Sequence, residues 1–210
     1  MRLTRLFSQS GQARTRRAAT LIVVAGATIF VGGCSSTVRT GQASSYMILQ
    51  RLEGASGAEA GAQFQSVLRS DVLTKGTIFE DNGRVTLSLA MKDVTNPTGP
   101  TSNNVITLNR YRVEYRRTDG RNTPGEEVPY AFEGAMGLTV GEQAVSAVFT
   151  LVRAQAKLEK PLITMVGGNN GALLISTIAD VTFFGKDQTG RDVTVTGSMS
   201  INFADWADPD

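Results

Sequence analysis

The chain has 210 residues, with 21 Lys and Arg against 19 Asp and Glu, one cysteine and no histidine. Lack of histidine removes the commonest general base and the commonest metal ligand together, and a single cysteine leaves no intrachain disulfide. Residues 1–33 hold five of the 21 basic residues and no acid, so the remaining 177 carry 16 basic against 19 acidic. That remainder gives nucleic-acid binding no electrostatic support, and its length is enough for one domain with an adequate core.

Arg2, Arg5, Arg14, Arg16 and Arg17 make the start basic, and Ala18–Phe30 follows as an apolar run diluted by Thr20, Gly26 and Thr28. The run fits an export signal and falls short of the roughly 20 residues that span a bilayer. It ends in Val31-Gly32-Gly33-Cys34, then Ser35-Ser36. Small residues let an extended backbone enter a peptidase cleft, and Cys34 offers a thiol for acyl transfer. Basic leader, apolar run, small residues and cysteine together resemble a bacterial lipoprotein signal. The resemblance implies cleavage before Cys34, with membrane lipid on acylated Cys34. It also implies outer-membrane sorting, since serine rather than aspartate follows the cysteine. Arg16-Arg17 is followed by Ala18-Ala19-Thr20, a partial match to a twin-arginine signal, and reads better as ordinary basic leader, with the general and twin-arginine routes both left open.

Ser35–Ser45 is a small, polar tether. Tyr46–Leu52 is expected as the first strand, with a single helical turn as the alternative. Gly54–Gly61 reads as a loop, and Gln65–Thr74 as a second strand with Val67, Leu68 and Val72 apolar. In Arg84–Lys92, Val85, Leu87, Leu89 and Met91 point one way and Arg84, Thr86, Ser88 and Lys92 the other, which predicts a half-buried strand. Thr95–Asn104 is turn chemistry. Val105–Arg117 follows as a long strand. Ile106 and Leu108 have the opposite parity to Tyr111, Val113 and Tyr115, which implies a bulge near Asn109.

Thr118–Val128 reads as an exposed loop, and Pro129 places Tyr130–Phe132 on an edge. Ala144–Val152 alternates through Val145, Ala147, Phe149 and Leu151. Arg153–Lys160 is the one helical stretch, about two turns long, ended by Pro161. Gly167–Gly171 turns the chain. Ala172–Phe184, a hairpin loop Gly185–Arg191 and Asp192–Phe203 close the domain. Here Val193, Val195, Met199, Ile201 and Phe203 face in, and Thr194, Thr196, Ser198, Ser200 and Asn202 face out.

About eight strands and one short helix predict a mainly β fold, a single antiparallel β-sandwich over residues 46–204. A cleaved signal (1–33) and a tether (34–45) precede it, and an acidic tail (205–210) follows. The closing hairpin is similar to the last strand pair of bacterial immunoglobulin-like domains, which implies an immunoglobulin-like sandwich. The disulfide and core tryptophan of true immunoglobulin domains are missing, and the only tryptophan, Trp206, falls in the tail.

No catalytic residue, metal site or cofactor is expected. A histidine triad is impossible, and Cys34 is committed to the lipid. Ser88 and Lys92 are one residue too far apart for the S-x-x-K of Ser-Lys enzymes, and they lie on a strand. Glu126 and Glu127 are adjacent in a loop, so their side chains diverge and solvate rather than pair across a glycosidic bond. Gly167–Gly171 follows a helix and precedes a strand, the reverse of a phosphate loop, which leaves a left-handed helix exit. Asp205, Asp208 and Asp210 lack the spacing of a calcium loop and read as a solvated, frayed tail.

Arg110, Arg112 and Arg116 share one parity on a strand, interrupted by Glu114, with Arg117 and Arg121 beyond. Two residues on a strand span roughly 7 Å, so the guanidinium groups form a row on one face. Such a row either holds an anionic sugar or lipid phosphate by bidentate contacts, or pairs with Glu114 and carboxylates of neighbouring strands. The expected function is that of a non-enzymatic, membrane-anchored envelope lipoprotein with a structural or recognition role. The alternative is a polysaccharide-binding or polysaccharide-cleaving module that uses the arginine face. An envelope protein or an acidic glycan is the expected partner, and nucleic acid is not.

Overall fold

The computed structural model describes residues 45–59, 61–92, 102–167 and 174–206. The leader, Cys34, nearly all of the tether, most of the turn at 95–104, the glycines at 168–171 and the tail beyond Trp206 lie outside the described residues. Eight strands are found among the described residues. They are β1 (Ser45–Ala55), β2 (Val67–Asp71), β3 (Asp81–Met91), β4 (Ile106–Arg116), β5 (Phe132–Val140), β6 (Val145–Val152), β7 (Ile175–Asp187) and β8 (Asp192–Ala204). One sheet has the order β1-β3-β6 and the other β2-β8-β7-β4-β5.

Period-two alternation builds both sheets. On β3, Val85, Leu87 and Leu89 are buried while Arg84 and Thr86 are only partly covered. On β4 both apolar sets are buried, because the register shifts between Leu108 and Arg110 against β5 and β7 alike. Asn109 is the extra residue that turns Ile106 and Leu108 onto the same core as Tyr111, Val113 and Tyr115. Phe149 of β6 meets Tyr111 and Phe183 at centroid distances of 4.9 and 5.4 Å, so rings from the two sheets interlock edge-to-face. Phe183, Phe203, Ile201, Leu87 and Leu151 are fully buried, each contributing about 1.5–3 kcal/mol. The Tyr115 hydroxyl donates to the carbonyl of Leu151 at 2.7 Å, satisfying a buried group on edge strand β6.

Several elements differ from their sequence-based outlines. The sandwich is not wholly antiparallel, since β2 runs parallel to β8. The connection from β1 crosses between sheets, so no tight turn forces reversal there. Only Tyr130–Phe132 was expected near β5, yet that edge strand runs to Val140. Its two glycines read as strand breakers. At Gly134 a Cβ would collide with the Tyr111 ring, as at Gly83 of β3 it would with the Phe149 ring, so Gly134 and Gly83 admit aromatic packing, whereas Gly137 has open space beside it.

The helix expected over Arg153–Lys160 shrinks to α1 (Ala154–Lys157), followed by a 3₁₀ turn at Leu162–Met165. Lys160 precedes proline, which disfavours helical geometry there. β7 extends through Asp187, shortening the hairpin loop, and the Asp187 carboxylate accepts the Thr189 and Arg191 amides at 2.8 and 2.9 Å. On β8, Met199, Ile201 and Phe203 are buried, whereas Val193 and Val195 are only partly so.

Candidate functional site

β4 carries Arg110, Arg112, Glu114 and Arg116 on the outer face of the five-stranded sheet, as their parity requires. Register then sets Arg112 opposite Glu133 of β5, and Glu114 opposite Asp180 of β7. Arg110 donates to Glu133 at 3.0 Å and lies 3.8 Å from the centre of the Phe184 ring. Arg112 donates to Glu114 at 2.6 and 2.9 Å and reaches Glu133 at 3.5 Å. Arg116 donates to Asp180, which also accepts the Ser198 hydroxyl. Beyond the strand, Arg117 and Arg121 share Asp119, and donation from Arg117 holds that carboxyl well below the usual carboxylate range. Three row arginines thus face three carboxylates. An arriving anion would have to displace Glu133, Glu114 or Asp180.

Sequence reasoning missed a second, buried charge cluster. Lys157 and Asp81 have side chains 1% and 0% exposed, with Nζ and Oδ2 2.9 Å apart. Asp81 also accepts the Ser70 hydroxyl at 2.6 Å and the Gly57 amide at 3.3 Å, while Lys157 donates to the Asp71 carbonyl at 2.7 Å. The cluster therefore ties α1, β2, β3 and the β1–β2 connection together. Burial pushes the Asp81 carboxyl above its usual range, against the opposing pull of Lys157 and the hydrogen bonds. Ser70 is fully buried and its hydroxyl is turned to Asp81, to which it donates. Gly57 packs against the Glu80 carbonyl so closely that no side chain fits.

Beside this cluster opens a cavity of about 580 Å³, bounded by the β1–β2 connection, β2 and the residues after β8. Ala55 lines it, whereas Ser45 lies at the other end of β1, about 33 Å away for eleven residues. Glu59, Gln63, Gln65, Arg69, Asp71 and Trp206 supply its polar and aromatic lining. The Asp71 carboxylate accepts the Thr74 hydroxyl at 2.6 Å and the Trp206 amide at 2.9 Å. The Arg69 guanidinium lies 4.2 Å from the centre of the Trp206 ring, and the indole Nε1 is a buried donor without an acceptor among the described residues.

The start of the tail is docked rather than frayed: Trp206 packs against the core, and Asp205 accepts the Gly167 amide at 2.6 Å. Gly167 has φ +82°, the left-handed conformation expected for it. Asp208 and Asp210 lie outside the described residues. Glu127 turns back on its own loop to accept the Thr123 amide at 2.9 Å while Glu126 is exposed, and Ser88 accepts from Gln50 at 2.9 Å. One sequence signal pointed toward the cavity: a tryptophan among acidic residues has 150–250 Å² to bury. The chain matches no protein-family model, no curated protein and no solved structure.

Proposed function

We propose that the chain is an exported envelope lipoprotein, held to the outer membrane by lipid on Cys34, whose immunoglobulin-like sandwich serves recognition rather than catalysis. The observation that carries the anchor is the cysteine placed directly after an apolar run and two glycines. Lipidation by two or three acyl chains makes such attachment effectively stable. Ten residues lie between Cys34 and Ser45, where β1 begins, which suits a short tether.

Strand order supports the immunoglobulin-like reading. On that reading the order β1-β3-β6 corresponds to strands A, B and E, and β8-β7-β4 to G, F and C. β5 then lies beside C, and β2 is added outside G. In place of the core tryptophan on strand C, Tyr111 of β4 packs on Phe149 and Phe183. A non-catalytic role is supported by the lack of histidine and by the sealing of Ser70 behind Asp81. The pairing of the arginine row withdraws support from that face as an open anion site, so recognition falls to the far end of the sandwich.

Metabolic labelling with an alkyne fatty acid in a bacterial host tests the anchor. The wild-type chain should incorporate label and Cys34→Ser should accumulate as unlabelled precursor. Label retained by Cys34→Ser, or unchanged processing by intact mass, contradicts it.

A further inference from the structure

Resting on the recognition reading above, we infer that the cavity beside Trp206 binds an acidic saccharide, whose carboxylate is taken by Arg69. The row arginines are matched by carboxylates, whereas Arg69 is exposed, makes no salt bridge among the described residues and lies against an indole face. Stacking holds a guanidinium by its face and leaves its coplanar N–H fork open to an incoming carboxylate.

The rest of the lining selects among anions. Lys75 adds a second positive charge to the lining, and Glu59 and Asp71 add two negative ones. Each Asp71 oxygen already accepts one hydrogen bond, from Thr74 or from Trp206. Two positive and two negative groups leave the lining without the excess of positive charge that a doubly charged phosphate needs, and Glu59 adds an acceptor for ligand hydroxyl groups. Gln63, Gln65 and Ser56 add amide and hydroxyl groups. A saccharide that presents one carboxylate to Arg69 and several hydroxyls to the rest of the lining satisfies this set, and about 580 Å³ is within the range of small-ligand sites.

At the cavity Gly54 and Gln65 bond each other through both N–H groups, at 2.8 and 2.9 Å, which leaves the short edge strand β2 as the stretch of the lining open to strand addition, and an anionic peptide is therefore the competing occupant in the test below. The buried Lys157–Asp81 pair holds Gly57 and so preforms the side of the cavity made by the β1–β2 connection.

Trp206 is the sole tryptophan, so fluorescence excited selectively at tryptophan, beyond the absorption of the four tyrosines, reports this cavity alone. The purified full-length chain in detergent micelles is titrated with trigalacturonic acid, maltotriose and hexaglutamate. Trigalacturonic acid should give a saturable change, and maltotriose should bind at least tenfold more weakly. Arg69→Gln, at an exposed position, should keep the wild-type circular dichroism and melting temperature yet weaken trigalacturonate binding at least tenfold. The triple change of Arg110, Arg112 and Arg116 to Gln should bind as wild type. No response to trigalacturonate, equal response from Arg69→Gln, or hexaglutamate binding as strongly overturns the inference. Fatty-acid labelling at Cys34 is read separately: a chain that labels but does not respond keeps its anchor and loses this ligand.

Discussion

The arginine row on β4 and the lysine–aspartate pair behind β2 are two charged regions with opposite physics. The row arginines are 42–50% exposed and sit within seven residues of one strand. Their ion pairs lie in water, where Coulomb attraction is screened and side-chain entropy opposes it, so they contribute little. Lys157 and Asp81 come from distant parts of the chain and are almost wholly sealed. There the desolvation cost is large, and it is offset only while both partners and their hydrogen bonds are present. A dense surface row thus sets solubility and pairing along one face, whereas one buried pair fixes the relative positions of four segments.

Breaking the buried pair should give the largest effect. Lys157→Met leaves Asp81 without its counter-charge and should cost about 3–5 kcal/mol in denaturant unfolding. Adding Asp81→Asn should recover part of that loss, because the stranded charge disappears. A single-variant cost no greater than that of a surface substitution would place the pair among the minor contacts.

Next in size is a pair of neighbours on β8. Val195 faces the core but is only partly buried, so Val195→Asp should cost about 1–3 kcal/mol rather than abolish folding. Thr196 faces out and bonds Thr182 at 2.9 Å, so Thr196→Asp should be nearly neutral. Equal damage from both, by thermal melts, would mean the facing of β8 is wrong.

Acid should act more gently and mainly on the exposed region. Donation from Arg117 lowers the Asp119 carboxyl, and the Thr123 amide lowers that of Glu127. At Asp180 burial raises the carboxyl, but donation from Arg116 and Ser198 outweighs it and the net shift is downward. For these groups the unfolded chain protonates first, so their stabilisation is present at neutral pH and drains as pH falls below about 4. Asp81 has the opposite sign: its carboxyl is raised, so its protonation favours the folded state. The melting temperature of Asp180→Asn should therefore fall less steeply with acid than that of wild type. Parallel curves would contradict this.

Much of the fold was legible in the sequence because period-two alternation is local. Val85, Leu87 and Leu89 mark β3, and the parity break between Leu108 and Tyr111 marks a bulge at Asn109, where the register shift occurs. β5 was hidden because Gly134 signals a break locally, while its purpose is set by a ring from another strand. The direction of β2 was hidden because pairing with β8 depends on topology across more than a hundred residues. The exposed face of the arginine row follows from parity alone, whereas its meeting with Glu133 and Asp180 depends on the register of two other strands. Ser70, Asp81 and Lys157 carry no shared spacing, so nothing local announced their meeting. The same holds for Arg69 and Trp206 at the cavity.

The claim that the buried pair holds the cavity, independently of the surface row, is tested most directly by amide hydrogen exchange. Wild type is compared with Lys157→Met and with the triple Arg110, Arg112 and Arg116 to Gln variant. In Lys157→Met, exchange should accelerate most at Gly57 and its neighbours in the β1–β2 connection, while the β7–β8 hairpin stays protected. The triple variant should match wild type in both places. Unchanged exchange at Gly57 in Lys157→Met, or an acceleration there in the triple variant, would contradict the account.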